Sequence, residues 1–310
     1  MRVVRVAVRV VIKPFVMSCY TYYMIKDTAL IFEGGGMRAS YTAGVVVTLL
    51  EEGIEFSDVY GISAGSSHTV NYLSKSIERS KLSFVEFMAT PGACGWGQFL
   101  RGKGYFNAEY IYETASQPGA ELPYDFDAFL NNPARPHIES YEYDSGRTVC
   151  WGKEDMPTLF DLARRVRASS TMPVFMPPIQ INGNTYFDGG IGDSWGIPLA
   201  PAKSDGYKKF FIVRTQEKSY RKSQDKNPLL TNLFMSKYKG VAKRTQERYI
   251  YYNIILNEID ELEEKGEAYV FCPKAMQVKN TTIDQKLLKE SYQTGYKHAR
   301  EELPAWRDFL

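Results

Sequence analysis

The chain has 310 residues, 44% hydrophobic and 24% charged, with a formal net charge of +2. This is an ordinary globular composition, long enough for one large core or two small ones, and too evenly charged to imply nucleic acid as a partner. The four cysteines, Cys19, Cys94, Cys150 and Cys272, have no CxxC or metal spacing and the three histidines lie far apart; structural thiols in a reducing cytosol are expected, with no metal and no cofactor.

Residues 1–23 are an odd opening, with Arg2, Arg5 and Arg9 interrupting a valine-rich run that ends at Lys13-Pro14. A secretory signal keeps its charges ahead of an unbroken apolar core, and this run is too short and too charged to span a bilayer. It is expected to be an extension, artefactual or disordered, ahead of a single unit over 24–310; a membrane anchor is the other reading, on its apolar character alone. Thr28 to Phe32 is a near-continuous apolar run, as in a central parallel strand buried on both faces. It enters Glu33-Gly34-Gly35-Gly36-Met37-Arg38. From Arg38 to Glu52, Tyr41, Val45, Thr48 and Leu49 recur at helical spacing, and Gly53 ends that helix.

Asp58-Val59-Tyr60 reads as a buried strand leading into Gly61-Ile62-Ser63-Ala64-Gly65, and Ala64 to Lys75 is helix-compatible. The Gly61-x-Ser63-x-Gly65 spacing suits a serine at the tip of a sharp strand-to-helix turn, which crowds the positions two residues to either side. The helix that follows points free N–H groups and the positive end of its dipole at the serine. Ser63 is the candidate nucleophile. Its hydroxyl needs a neighbouring base, and the oxyanion it would create needs fixed donors.

Lys81 to Tyr143 is rich in aromatic residues, glycine and proline. An irregular excursion packed on the sheet is expected, part of which is a candidate lining for an apolar ligand pocket or lid. Pro133 and Pro136 mark a turn. Thr148 to Trp151 reads as a strand, Thr158 opens a helix that runs to about Ala168, and Ser169 and Ser170 read as helix-end hydroxyls. Gly183-Asn184 makes a hairpin-like turn into a strand at Thr185 to Phe187, followed by Asp188-Gly189-Gly190. A strand at Lys209 to Val213, a long helix from about Tyr238 to Glu264, a strand at Ala268 to Phe271 and a helix from Asp284 to about Glu302 complete an α/β pattern. Basic residues outnumber acids between Lys203 and Arg248. A solvated face is the expectation there, and a surface for anionic lipid headgroups the alternative.

Three stretches, Gly34-Gly35-Gly36 with Arg38, Gly61-x-Ser63-x-Gly65 and Asp188-Gly189-Gly190, occur in this order. Together, over roughly Ile25 to Gly190, the chain resembles the patatin-like phospholipase family, in particular its bacterial cytosolic members. The resemblance implies a three-layer α/β/α fold with a mainly parallel central sheet, and hydrolysis of acyl esters, usually of lipids. It implies a Ser-Asp dyad with no histidine: Ser63 as nucleophile, Asp188 as its partner, Gly34, Gly35, Gly36 and Arg38 as the oxyanion loop, and Gly61, Gly65, Gly189 and Gly190 as supports of the motifs. Asp188 can act as a base if burial raises its proton affinity. A lipid or other acyl-ester substrate, a cytoplasmic location and peripheral contact with an anionic membrane are the corresponding expectations.

Three rival readings follow from the same residues. His298 follows Ser63 and Asp188 in the serine, acid, histidine order of α/β-hydrolases, although Tyr296 to Arg300 looks like an exposed helix face. His68 reads as a packing residue on the helix after Ser63. Gly34-x-Gly36-x-x-Ala39 after a strand also fits a dinucleotide-binding fingerprint, but the second strand ends in the serine turn instead of the acidic residue that would bind a ribose. An inactive patatin-like binding module is the third.

Overall fold

The computed structural model describes residues 24–310, and the expectations for 1–23 lie outside the described residues. In chain order the elements are β1 (Met24–Ile25), β2 (Thr28–Phe32), α1 (Ala39–Glu51), β3 (Glu55–Phe56), β4 (Asp58–Ile62) and α2 (Ala64–Leu73). Three short helices follow, α3 (Ile77–Leu82), α4 (Trp96–Leu100) and α5 (Phe126–Asn131). Next come β5 (Arg135–Glu142), β6 (Arg147–Trp151), α6 (Leu159–Ser169), β7 (Ile179–Ile181), β8 (Asn184–Asp188), α7 (Leu199–Ser204) and β9 (Lys209–Val213). The chain finishes with α8 (Pro228–Phe234), α9 (Lys239–Glu264), β10 (Ala268–Phe271) and α10 (Gln285–Phe309).

Eight strands form one sheet in the order β10-β9-β2-β4-β5-β8-β7, with β6 also on β5; β10, β9, β2, β4 and β5 run parallel, and β6, β8 and β7 are antiparallel to their neighbours. Alternation along the buried strands makes two cores. Leu30 and Phe32 of β2 and Phe211 and Val213 of β9 pack with Tyr41 and Val45 of α1 and Trp306 of α10. Ala29 and Ile31, with Phe210 and Ile212, pack with Leu199 of α7 and Tyr252, Leu256 and Ile259 of α9. A period of two on strands and helices on both faces define a three-layer α/β/α fold. Truncating a fully buried tryptophan such as Trp306 typically costs about 3–5 kcal/mol.

The last helix is locked to the first by two glycines. A β-carbon on Gly44 would lie 2.2 Å from the Tyr296 nitrogen, and one on Gly295 would lie 2.0 Å from the Tyr41 carbonyl oxygen. The α1 and α10 backbones therefore touch, and the C-terminal region is part of the packing around the sheet. No helix among the described residues is long and apolar enough to cross a membrane.

Three sequence expectations need correction. The stretch ending at Tyr143 is not irregular throughout, because Pro136 lies inside β5, a strand flanked on both edges, and does not mark a turn. Arg135 donates its N–H to Ser57 O on the β4 side, so Pro136 turns its nitrogen to the opposite edge, where pairing begins only at Ile138. The missing N–H thus breaks no ladder bond. The β7–β8 turn is made by Asn182 and Gly183, both at positive φ, and Asn184 already belongs to the strand; this is the two-residue turn whose twist suits a hairpin. Finally, α10 continues through Pro304 to Phe309, with Leu303 and Trp306 buried.

Candidate active site

The strand β5 acts as a ruler for the site. Ile62, the last residue of β4, pairs with Glu139, and Asp188, the last residue of β8, pairs with Ser140. Since β6 pairs with Ile138 to Glu142, it takes the other edge of β5. The antiparallel β8 and the parallel β4 therefore share one edge and meet C-terminus to C-terminus. That meeting brings Ser63, one residue past β4, against Asp188.

Ser63 adopts φ 56° and ψ −125° at the N-cap of α2, a backbone conformation that a non-glycine residue holds only when its surroundings impose it. The imposing contacts are visible: a β-carbon on Gly61 would lie 2.3 Å from Gly65 O, and one on Gly65 would lie 2.2 Å from Phe32 O. The Ser63 N–H donates to Ser169 Oγ (3.0 Å), and Ser169 Oγ donates to Glu139 O (2.6 Å). Ser169 thus ties the turn to the ruler strand. Its sequence signal, a small residue at a helix end, gave no hint of this role.

Asp188 is buried, 6% exposed, and accepts the Gly190 N–H at 2.6 Å. Burial raises its proton affinity, and a hydrogen bond from the Ser63 side chain, the charge of Arg248 and the Gly190 N–H oppose that rise. A β-carbon on Gly189 would lie 2.4 Å from Glu139 O and one on Gly190 would lie 2.8 Å from Asp188 Oδ1, so both positions are closed to side chains.

The glycine loop leaves β2 beside this pair. Gly34 packs on Ile62 O and Ser63 Cβ, and its N–H donates to Gly196 O at 2.9 Å. Met37 N–H goes to Asn280 O and Arg38 N–H to Gly35 O. Among the described residues this leaves the Gly35 and Gly36 N–H groups of the loop without a partner, so Gly34 is a packing residue and not an available donor. Glu33 anchors the loop, accepting from Thr215 N at 2.6 Å and from Tyr252 Oη at 2.5 Å. Arg38 makes no surface ion pair among the described residues; its side chain lines the cavity that contains Ser63 and Asp188, and burial lowers its proton affinity.

Two cavities meet at Ser63. One is narrow, about 70 Å³, and apolar, walled by Phe84, Phe87, Phe106, Ile111, Leu122 and Val166. Most of these side chains come from the aromatic-rich stretch. The other, about 390 Å³, holds Asp188, the glycine loop, Arg38, Lys222 and Arg248. Lys222 and Arg248 stood in the sequence only as members of a basic run.

His298 is not on an exposed face. It is 3% exposed, with Nδ1 2.9 Å from Tyr41 Oη and Nε2 2.7 Å from Glu302 Oε1, and it lines neither cavity at Ser63. His68 is fully buried between Phe32 and Phe84, bonded to Thr42 Oγ1, with burial lowering its pKa to about 3. No group of three or more His, Cys, Asp or Glu residues suited to a metal ion occurs among the described residues.

A doubly covered, mainly parallel sheet with a strained serine at a strand-to-helix turn defines a three-layer α/β/α protein whose serine turn has the geometry of a nucleophile elbow. The chain belongs to the patatin-like phospholipase family, whose model matches residues 30–202, and so falls at family level among lipid hydrolases. A second model, described as a domain of unknown function (DUF6363), matches residues 238–310. The uncharacterized protein YjjU of Escherichia coli (strain K12) is 27% identical over 199 residues, 60% of this chain and 51% of that protein. Lysophospholipase NTE1 of Cryptococcus neoformans is 25% identical over 300 residues, 91% of this chain and 17% of that protein. The chain thus spans about half the length of the first curated relative and far less of the second. The crystal structure of VipD from Legionella pneumophila superposes with a TM-score of 0.50 at 10% identity, covering 90% of this chain and 67% of that one, a likeness of fold alone.

Proposed function

We propose that the chain hydrolyses carboxylic esters of lipids through an acyl-enzyme. Ser63 Oγ attacks the ester carbonyl carbon while Asp188 takes the hydroxyl proton. The oxyanion is received by the Gly35 and Gly36 N–H groups, joined by that of Ala64 at the start of α2. Collapse of the tetrahedral species breaks the ester C–O bond, and the leaving alcohol takes the proton from Asp188. Water, deprotonated by Asp188, then attacks the acyl-Ser63 carbonyl, and collapse of this second tetrahedral species breaks the bond to Ser63 Oγ, which takes the proton back from Asp188 as the carboxylic acid leaves. The observation that carries this reading is the meeting of two strand ends on β5, which brings the Ser63 side chain near enough to the buried Asp188 to favour its ionised form. The apolar cavity suits the acyl chain, and its walls include Met37, Met88, Met172 and Met176, whose flexible side chains can open a narrow space.

The test is hydrolysis of p-nitrophenyl esters and phospholipids by the wild type and by Ser63→Ala, together with mass-spectrometric location of a fluorophosphonate adduct. Esterase activity lost in Ser63→Ala and an adduct on Ser63 are expected. Failure of Ser63 to label in the folded protein would leave the inactive binding module as the better reading.

We further infer peripheral contact with a membrane surface from within the cytoplasm. The supporting observation is α8, whose Leu229 and Leu233 are 83% and 70% exposed beside Leu230 and Phe234, two residues of the larger cavity. The unpaired cysteines Cys94, Cys150 and Cys272 fit a reducing compartment.

A further inference from the structure

Three cations converge on the larger cavity from three parts of the chain: Arg38 from the glycine loop, Lys222 from the segment after β9, and Arg248 from α9. They lie close enough for their charges to act on one another, since Arg248 and Arg38 both depress the proton affinity of Lys222, and Arg248 depresses that of Arg38. Burial is the main cause of the lowered Lys222 pKa, which with these charges falls to about 7. Elsewhere much of the basic run is neutralised: Lys203 pairs with Glu258, Lys218 with Glu263, Arg221 with Asp260 and Arg244 with Asp193. Among the described residues, neither Lys222 nor Arg248 nor Arg38 has a carboxylate at ion-pair distance. The two acids that share the cavity are both engaged: Asp225 accepts from Asn227 N–H and from Thr231 Oγ1, and Asp188, whose ionised form Arg248 favours, accepts the Gly190 N–H beside Ser63. Folding has therefore gathered three cations in a half-buried site where Glu33, Asp188 and Asp225 offset their charge without forming an ion pair, an arrangement that favours an anion.

The position of the cluster says which part of a substrate that anion belongs to. With the acyl chain in the apolar cavity, the cationic cavity on the other side of Ser63 receives the alcohol portion of the ester. We propose that Lys222 and Arg248, with Arg38, bind a phosphate carried on that alcohol portion, so that residues beyond the patatin-matched segment set the headgroup preference. Lys222 lies between the two family matches, and Arg248 lies within the domain of unknown function, to which this assigns a part in substrate recognition. The inference deepens the ester-hydrolase reading and depends on it for the placement of the acyl chain. Guanidinium and ammonium groups hydrogen-bonded to a phosphate in a partly desolvated site are strong contacts.

The test compares a 1-acyl-glycerol 3-phosphate with the monoacylglycerol of the same chain. The wild type is expected to favour the phosphate-bearing ester in kcat/KM. Lys222→Ala is expected to lower that ratio by about tenfold or more, the loss of a hydrogen bond to a charged group; Lys222→Arg retains it, and Lys243→Ala, on the outer face of α9, does not move it. In parallel, calorimetry measures binding of glycerol 3-phosphate and inorganic phosphate to Ser63→Ala, with and without Lys222→Ala. This arm needs no turnover, so an absence of ester hydrolysis sinks the enzymatic reading without hiding whether the subsite exists. A melting temperature for Lys222→Ala at or above that of the wild type is expected, because the change relieves repulsion; Lys222→Gln repeats the assay should the alanine variant misfold. An unmoved substrate ratio overturns the proposal, even with inorganic phosphate bound, and so does a glycerol 3-phosphate affinity indifferent to Lys222.

Discussion

Ile62 and Asp188 face consecutive residues of one strand, Glu139 and Ser140, so the ends of β4 and β8 abut along a single edge of β5. The Ser63–Asp188 meeting is thus set by backbone register, with the Ser169 hydroxyl tying the serine turn to the same strand. Ser63→Ala and Asp188→Asn are each expected to lower ester kcat by about three orders of magnitude or more, as for other residues that act as a unit. His298→Ala, which removes a buried partner of Tyr41 and Glu302, is expected to lower stability by about 1–3 kcal/mol and to keep turnover. Parallel rate and denaturation measurements separate these outcomes, and a His298→Ala rate as low as that of Ser63→Ala would restore the serine, acid, histidine triad.

Gly35 tests the oxyanion assignment. A β-carbon there would lie 2.4 Å from Thr215 Oγ1, so Gly35→Ala has to shift the loop away from Thr215. A displaced N–H weakens binding of charge that exists only in the transition state. A fall of about two to three orders of magnitude in kcat with KM nearly constant is expected. A raised KM with unchanged kcat would make the loop a ground-state binding element.

The pH profile reports the base. Burial raises the Asp188 pKa above the ordinary carboxylate range, and Asp188 must be ionised to accept the Ser63 proton. The acidic limb of kcat/KM should therefore lie above that of an exposed aspartate, with activity gained as pH rises. Arg248 favours the ionised form, so Arg248→Gln is expected to move the limb to still higher pH. A limb unmoved by that change would remove Arg248 from the surroundings of Asp188.

Much of this arrangement was legible in the sequence, and the illegible part has identifiable physical causes. β2 is a near-continuous apolar run, Val59-Tyr60 leads β4 straight into the serine turn, and the Gly61-x-Ser63-x-Gly65 crowding is local, so these could be read from neighbours in the chain. β5 could not, because Pro136 signals a break unless the edge its nitrogen faces is known to be unpaired, and without β5 the route from Ser63 to Asp188 has no ruler. Ser169 was opaque for a similar reason, since its partners, Ser63 N–H and Glu139 O, come from other elements. His298 was misread because Lys297 and Arg300 flank it, whereas helical geometry turns His298 and Ala299 onto α1. A run of basic residues likewise does not say which side chains point inward, and Lys222 and Arg248 do.

Glu139 links the ruler strand to stability. It is 4% exposed, and burial, with Asp193 nearby, pushes its pKa up to about 7 against a hydrogen bond with Ser194. The native state therefore holds this proton at a pH where the unfolded chain has lost it. Its contribution to stability is full below the ordinary glutamate pKa, near 4.3, and is lost as pH rises towards 7. Glu139→Gln is expected to flatten that decline and to be more stable than the wild type at pH 8, by at most about 4 kcal/mol. Denaturant titrations at pH 5 and pH 8 check this, and a variant with an unchanged pH dependence would show that Glu139 ionises freely.

The proposed membrane contact is placed on α8 and not on the basic run, because pairing has already neutralised much of that run. Lys218 and Arg221 bind Glu263 and Asp260 on α9, so removing them together would release two acids as well as two cations. By contrast α8 presents Leu229, Leu230, Leu233 and Phe234 to solvent, all at least half exposed, next to the exposed Lys226 and Lys237. Apolar side chains inserted at the boundary of headgroups and acyl chains gain about 25 cal/mol per Å² buried, and each nearby lysine adds roughly 1 kcal/mol at an anionic surface. Salt screens only the second contribution, within about 10 Å at 0.1 M. Cosedimentation with vesicles of phosphatidylcholine and phosphatidylglycerol should therefore fall only in part when salt is added. It should fall much further in a Leu229→Ser, Leu233→Ser variant, which touches neither Ser63 nor the cavity walls and keeps its rate on a short soluble ester. Lys218→Ser, Arg221→Ser should change binding little. If instead the lysine and arginine pair governs binding and the leucines do not, contact with the bilayer runs through the basic face, and α8 is an exposed helix with some other partner.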